Sequence, residues 1–310
     1  MKTLAATAPR RKANMNRMDR KDNWIMMAMC FPVFAFLFMF NYMPMFGIVM
    51  SFQNVRVDGS IWQNAWEGLH NFEFFFQSIY ARRITFNTLF LNALFIIVGT
   101  VAAVVIALLL FEVTKKWLIK IYQSFMILPS YLSWVVVGFM SYALFSSTMG
   151  LLTFEGGPVW YTDAAVWPII LVIAVVWKNV GLNCIIYYAG LMNVSQDLYE
   201  AASIDGAGKI KQMWYISLPS LVPLISIMTI LAIGGIMRAD FGMFLNLTRD
   251  LGPLHRTTDV IDTHIVRSLF NQPNVGIPAA IGLYQSFVGF ILILITNTVV
   301  NKFQPDNALF

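Results

Sequence analysis

Residues 89–111 read LFLNALFIIVGTVAAVVIALLLF, a run in which Asn92, Gly99 and Thr100 are the least apolar members and no Asp, Glu, Lys or Arg occurs. A helix needs about 20 mostly apolar residues to cross a hydrocarbon core, because each backbone N–H and C=O must be satisfied inside the segment. This run meets that length, and the rest of the chain has the composition to match. Of 310 residues, 58% are apolar, 15% aromatic and 12% charged; a soluble globular domain carries about 25% charged residues. A water-soluble fold of this size has too little core to hide so much apolar surface.

Five further stretches read as spans. Trp24 to Phe40 is apolar apart from Pro32 and continues past Asn41 and Pro44 toward Met50. Ile121 to Phe145 carries Pro129, expected to kink a membrane helix that neighbouring helices tolerate. Ala165 to Gly190 holds one charge, Lys178. Leu221 to Met237 is short but is extended by Trp214 to Pro219, and Ala279 to Val300 is the last. The expected fold class is therefore all-α integral membrane with six transmembrane helices, arranged as a basic tail (1–23), one membrane domain (24–303) and a short closing tail (304–310).

The net charge of +5 is not a nucleic-acid signal, since the basic residues flank apolar runs instead of forming a patch among aromatics. Lys2, Arg10, Arg11, Lys12, Arg17, Arg20 and Lys21 precede the first span. With the N-terminus inside, these seven join Lys115, Lys116, Lys120, Lys209, Lys211 and Lys302 to put thirteen basic residues on the inner side; Arg56, Arg82, Arg83, Arg249, Arg256 and Arg267 put six outside. That bias implies both termini in the cytoplasm and agrees with an even number of spans. No A-x-A-like cleavage site follows Phe40, so an uncleaved first helix is expected. Cys30 and Cys184 fall inside apolar runs and read as small hydrophobes, while His70, His255 and His264 lack metal-ligand spacing, so no metal site is expected.

The connection between the fourth and fifth spans, within 191–219, carries the most specific pattern: Asp197-Leu-Tyr199-Glu200-Ala201-Ala202-Ser-Ile-Asp205-Gly206-Ala207-Gly, then Ile216, Leu218 and Pro219. Asn193 or Ser195 can cap a short helix whose early turns hold Asp197 and Glu200, where the helix dipole favours acids. Gly206 supplies the backbone freedom to end it. A second short helix follows, and Pro219 suits the first turn of the next span, where its missing N–H is not needed. From the residues alone the stretch is either a docking knob, with Ala201 and Ala202 permitting close approach, or an ordinary capped loop.

Glu200-Ala201-Ala202, Asp205-Gly206-Ala207, Ile216 and Leu218-Pro219 together resemble the signature EAA loop of binding-protein-dependent ABC importer permeases. Tyr42-Met43-Pro44-Met45-Phe46-Gly47, Leu128-Pro129 with Ser133-Trp134-Val135-Val136, and Asp259-Val260-Ile261-Asp262-Thr263 are similar to the branch that handles oligosaccharides or polysaccharide fragments. The resemblance implies the type I importer permease fold and a carbohydrate substrate in a bacterial cytoplasmic membrane. It implies a second homologous permease subunit, a cytoplasmic ABC ATPase dimer and an extracellular solute-binding protein as partners. The loop would couple to the ATPase, and this chain would form half of the path without being an enzyme. Gly206-Ala207-Gly208-Lys209 mimics the end of a phosphate-binding loop, but Ser203 and Ile210 stand where Gly and Ser or Thr belong. No cofactor is expected in this chain, with ATP and Mg bound by the partner ATPase.

Asn179, Asn183 and Tyr187 recur every four residues and share one helix face, with Trp177 and Lys178 beside it. Amides donate and accept toward sugar hydroxyls, and a ring such as Trp134 can cover an apolar sugar face. The same amides equally serve to bind helix to helix. Asp240, beside Arg238 at the outer end of the fifth span, is a further path candidate that also reads as an interfacial anchor. The competing class is a secondary transporter of small polar solutes, which should place acids inside its spans; these spans hold no Asp or Glu.

Overall fold

The computed structural model describes residues 17–55, 64–148, 150–154 and 157–303. Most of the basic tail 1–23, Arg56 and the closing tail 304–310 lie outside the described residues. The chain divides into two compact units, Met1–Val49 and Met50–Phe310. In the first, α1 (Arg17–Leu37) passes into a π turn (Phe38–Tyr42) and then a 3-10 stretch (Met43–Phe52) whose last three residues belong to the second. Pro44 has no N–H to offer the carbonyl of Phe40, and the helix changes its hydrogen-bond register around that gap. Cys30 lies on the exposed surface of α1.

The second unit begins with a short helix α2 (His70–Gln77), followed by α3 (Ile79–Phe111), α4 (Lys116–Ile127) and α5 (Trp134–Phe145). Then come α6 (Trp167–Leu191), α7 (Gln196–Ile204), α8 (Lys209–Gln212) and α9 (Leu218–Gly234). The chain closes with α10 (Phe241–Thr248), α11 (His255–Thr258), α12 (Ile261–Asn271) and α13 (Gly276–Phe303). Among the described residues, five helical runs are long and apolar enough to cross a membrane: Asn23–Phe52, Ile79–Phe111, Trp167–Leu191, Lys209–Gly234 and Gly276–Lys302. A bent pair, Lys116–Tyr131 with Trp134–Phe145, raises the number to six when it is taken as one span.

Two spans depart from their expected form. The third is broken where a kink was expected: its two halves meet at 92°. After Pro129 the chain tightens to a 3-10 turn (Leu128–Tyr131), and Leu132 and Ser133 then adopt extended backbone. A proline alone deletes one hydrogen bond, whereas two extended residues end the helix and redirect it. The fifth span starts earlier than expected, because a π turn (Met213–Ser217) fuses α8 to α9 without a loop.

α3 and α6 form the most extensive helix pair. Ala103 and Ala107 let the backbones approach, and Cys184, Tyr187, Leu191 and Leu221 fill the space around them. A second cluster, with Leu91, Trp167, Leu171, Phe244 and Leu247, joins α10 to the bundle. Phe75, Ile84, Met237, Ile261 and Ile281 make a third, through which α2 and α12 are seated.

The segment from Ala239 to Val275 is fastened by polar contacts as well. Asp259, fully buried, accepts from Arg83 Nη2 (3.2 Å), Arg267 Nη1 (3.1 Å) and Thr263 Oγ1 (3.1 Å). Asn87 Nδ2 donates to the Asp259 carbonyl at 3.0 Å. Asp262 accepts from the Ala239 N–H at 2.7 Å and from Gln285 Nε2 at 3.0 Å. Burial drives the Asp259 carboxyl up, but His264 and the Arg267 guanidinium overcome it and hold it at about 2.

A carboxylate held below its ordinary value stabilises the fold at every pH above that value, and the contribution disappears as pH falls toward the depressed one. Thermal unfolding in detergent is therefore expected to be insensitive to Asp259 from neutral pH to about 4 and to lose on the order of 2 kcal/mol between about pH 4 and pH 2. Asp259→Asn should lower the unfolding temperature at pH 7 and flatten that acid dependence. An unchanged acid profile in the variant would assign the pH effect to other groups.

Candidate functional site

The 191–219 connection folds into a projecting helix, turn and helix. Ser195 is the N-cap of α7, its Oγ accepting from the Asp197 N–H at 3.3 Å, while Asn193 bonds back to the Ala189 carbonyl. Asp197 sits in the first turn. Gly206, at φ +80, ends the helix, and the Ala207 N–H reaches the Ala202 carbonyl at 2.8 Å. A β-carbon at that φ is strained, which is why glycine stands there.

The knob is anchored by two buried side chains, Tyr199 and Gln212. Tyr199 is buried, its hydroxyl 2.9 Å from Ser217 Oγ in the π turn and its ring 5.6 Å from that of Phe111 at the end of α3. Gln212 Nε2 donates to Ser203 Oγ (2.8 Å) and to the Ala207 carbonyl (3.1 Å), tying the two helices together. Lys209 Nζ meets Glu112 Oε2 at 3.2 Å. Glu200, Ala201, Asp205 and Gly206 are exposed, Ala202 and Ala207 are half-buried, and Ile204 is 87% exposed. Ile216 and Leu218 are half-buried, and Pro219 lies in the first turn of α9.

The broken third span creates a second polar centre. At the break the Pro129 carbonyl accepts from the Leu132 N–H at 3.1 Å, and Lys178 serves the carbonyls of Pro129, Ser130 and Leu132 together, its Nζ donating at 3.4, 2.8 and 2.5 Å. Lys178 is only 8% exposed. An ammonium has three donors and no acceptor, so the match to three carbonyls satisfies both sides. Gly181, one turn on, allows α6 to approach this closely, since a β-carbon there would lie 2.0 Å from the Met126 carbonyl oxygen. Lys178 Nζ also lies 5.3 Å from the Trp134 ring centroid, and Trp134 Nε1 donates to Asp240 Oδ2 at 2.5 Å. Asp240 in turn caps α10, its Oδ1 accepting from the Met243 N–H.

The remaining path candidates separate. Asn183 and Tyr187 line a cavity of about 230 Å³ between α3, α6 and α9, together with Asn92, Phe95, Thr100 and Met228. Asn179 is half-buried and is not among the residues lining it. Trp177 lines a different, almost wholly apolar cavity with Val137, Leu144 and Leu247. Asn92 was not among the sequence candidates. Its Nδ2 donates to the Ile236 and Arg238 carbonyls (2.8 and 3.1 Å), closing the end of α9. The signal was present: it is the one amide in the apolar stretch 89–111.

A bundle of apolar helices that bears an anchored, exposed helix-turn-helix between two spans is the architecture of a multi-pass membrane protein. Residues 96–304 match the model of the binding-protein-dependent transport system inner membrane component family, and the chain belongs to that family. It is 30% identical over 294 residues to the protein LplB of Bacillus subtilis, covering 93% of this chain and 91% of that one. It is 29% identical over 324 residues to the polygalacturonan/rhamnogalacturonan transport system permease YteP of the same species, covering 99% of each. A crystal structure of a bacterial ABC transporter involved in the import of the acidic polysaccharide alginate superposes with TM-score 0.83 at 27% identity, covering 93% of this chain and 98% of that one.

Lys178→Met retains the length of the side chain and removes every donor. The Ser130 and Leu132 carbonyls would lose the ammonium, while Pro129 would keep the Leu132 N–H, and a loss of about 3 kcal/mol is expected in detergent unfolding, with Lys178→Arg recovering part of it. Equal stability of Lys178→Met and the native chain would mean that the bend is held by other contacts.

Proposed function

We propose that this chain is the membrane-spanning subunit of an ATP-driven importer of oligosaccharides or polysaccharide fragments. It lies in a bacterial cytoplasmic membrane with both termini inside, and itself neither binds nor hydrolyses nucleotide. A second permease of similar fold completes the path, an ABC ATPase dimer docks from the cytoplasm, and an external binding protein delivers the sugar.

The exposed face of α7 carries this reading. A side chain as apolar as Ile204 at 87% exposure, beside the small Ala201, is a surface made to be covered by another protein, and the buried Tyr199 fixes its place. On this reading Tyr199, Glu200, Ala201, Ala202, Asp205, Gly206, Ala207, Ile216, Leu218 and Pro219 form the coupling element, and ATP-driven closure of the ATPase moves them together. The carbohydrate assignment draws on the relatives that transport polygalacturonan and alginate, and on the cavity chemistry. Asn92, Thr100, Asn183 and Tyr187 are uncharged groups that exchange hydrogen bonds with hydroxyls.

In the assembled transporter, Glu200→Arg or Gly206→Pro is expected to lower uptake at least about tenfold and to lower substrate-stimulated ATP hydrolysis with it. Loss of uptake with that stimulation intact would remove α7 from the coupling path. Ala201→Cys should react with a membrane-impermeant thiol reagent from the cytoplasmic side alone; labelling from the outside would invert the topology.

A further inference from the structure

A groove of about 300 Å³ runs between α5 and α10, separate from the cavity that holds Asn183 and Tyr187. Phe139, Tyr142, Asn246 and Arg249 line it, and Gly138 forms its floor, where the two helices come so close that a β-carbon would lie 2.7 Å from the Asn246 carbonyl oxygen. On the proposed topology it opens on the outer side.

Arg249 is held in an unusual way. Its guanidinium carbon stands 4.3 Å above the Tyr142 ring, and no carboxylate among the described residues pairs with it. The neighbouring Asp250 is taken by Arg267 and His255, and Asp259 by Arg83 and Arg267. Arg249 and Asp250 both lie at positive φ, +54 and +50, a conformation that costs energy in any residue with a β-carbon. The ion pairs of Asp250 hold that backbone, and with it the guanidinium stays at the groove while its neighbour's charge is spent elsewhere.

We infer that the groove between α5 and α10 binds a carboxylated sugar unit, with Arg249 receiving the carboxylate. The reading rests on the carbohydrate function proposed above and adds charge selectivity to it. A guanidinium presents paired N–H donors that match a carboxylate, and its stacking on Tyr142 sets the plane of that fork. The exposed ring of Phe139 offers an apolar face to the sugar ring. Asn246 lines the groove and spends its Nδ2 on the Gly242 carbonyl at 2.7 Å, so that its Oδ1 is the atom able to accept from a hydroxyl. Carboxylate, ring face and hydroxyl are the three features a uronic acid unit displays. A lipid phosphate would engage the cation but has no use for the ring and amide.

The test uses the complete transporter in proteoliposomes with two probes of the same size and linkage, trigalacturonate and its neutral methyl ester. Arg249→Gln is expected to raise KM for trigalacturonate about tenfold and leave the ester unchanged, with Arg249→Lys in between. Equal losses on both probes, or none on trigalacturonate, overturns the assignment, as does an effect of Arg249→Gln that vanishes when anionic lipids are withdrawn. Should the Arg249→Gln complex fail to assemble, phenylglyoxal modification of Arg249 in the native complex, read by mass spectrometry, replaces it. Trigalacturonate should protect and the ester should not; equal protection overturns the proposal. A native complex that takes up neutral oligosaccharides but not trigalacturonate rejects this inference alone, whereas one that takes up neither class rejects the carbohydrate function itself.

Discussion

In hydrocarbon each backbone carbonyl needs a donor from the protein, and at two places where a span of this chain stops being helical a side chain from a neighbouring helix takes up that duty. At the break in the third span the donor is the ammonium of Lys178, shared among Pro129, Ser130 and Leu132. At the end of α9 it is the amide of Asn92, shared between Ile236 and Arg238. Both donors stand on the long uninterrupted helices α6 and α3, which form the tightest pair in the bundle. The irregular helices thus depend on the regular ones, and a buried charge that would otherwise be costly becomes the element that permits a 92° turn.

The two ends of the second unit follow from different physics. At one end, α10 to α12 are held down by ion pairs around Asp259 and by the hydrogen bonds of Asp262, so that a stretch between two spans becomes a fixed plate. Removing one member of such a network strands the others, which makes it cooperative. At the other end α7 is fastened by its Tyr199 side and left bare on the opposite side. One end is closed by its own contacts; the other is completed by a partner on the proposed function.

The positions of the spans and the cap-and-glycine grammar of the 191–219 segment were legible in the sequence, because hydropathy and helix capping are local properties. Ser195, Asp197 and Gly206 act in the structure through atoms only a few residues away. The 92° break was not legible, since Pro129 occurs equally in helices that merely kink and the difference lies in Leu132 and Ser133 adopting extended backbone. The fusion of α8 to α9 was hidden for a similar reason: a π turn leaves no compositional mark. Lys178 was recognisable as an exceptional charge, but its partners are backbone carbonyls, which carry no sequence signature. Asp259 with Arg83 and Arg267 escaped notice because Arg83 is 176 residues from Asp259 along the chain.

The attachments of α7 decide which helices a force on it reaches. Tyr199 touches Phe111 at the end of α3 and Ser217 in the π turn that leads into α9, while Lys209 of α8 pairs with Glu112 just past α3. α7 itself follows α6 after Leu191. Those three helices, α3, α6 and α9, are the ones that contribute Asn92, Asn183 and Met228 to the cavity. Packed interiors transmit displacement because they compress little. A rigid-body shift of the knob therefore alters the spacing of the cavity walls directly, whereas α5 and α10, which frame the Arg249 groove, receive that motion at second hand, through their packing on α3 and α6 and through the short connection from α9. The recognition inferred for the groove and the coupling proposed for the knob are thus placed on different helices, and substitutions at one site should leave the intrinsic response of the other intact.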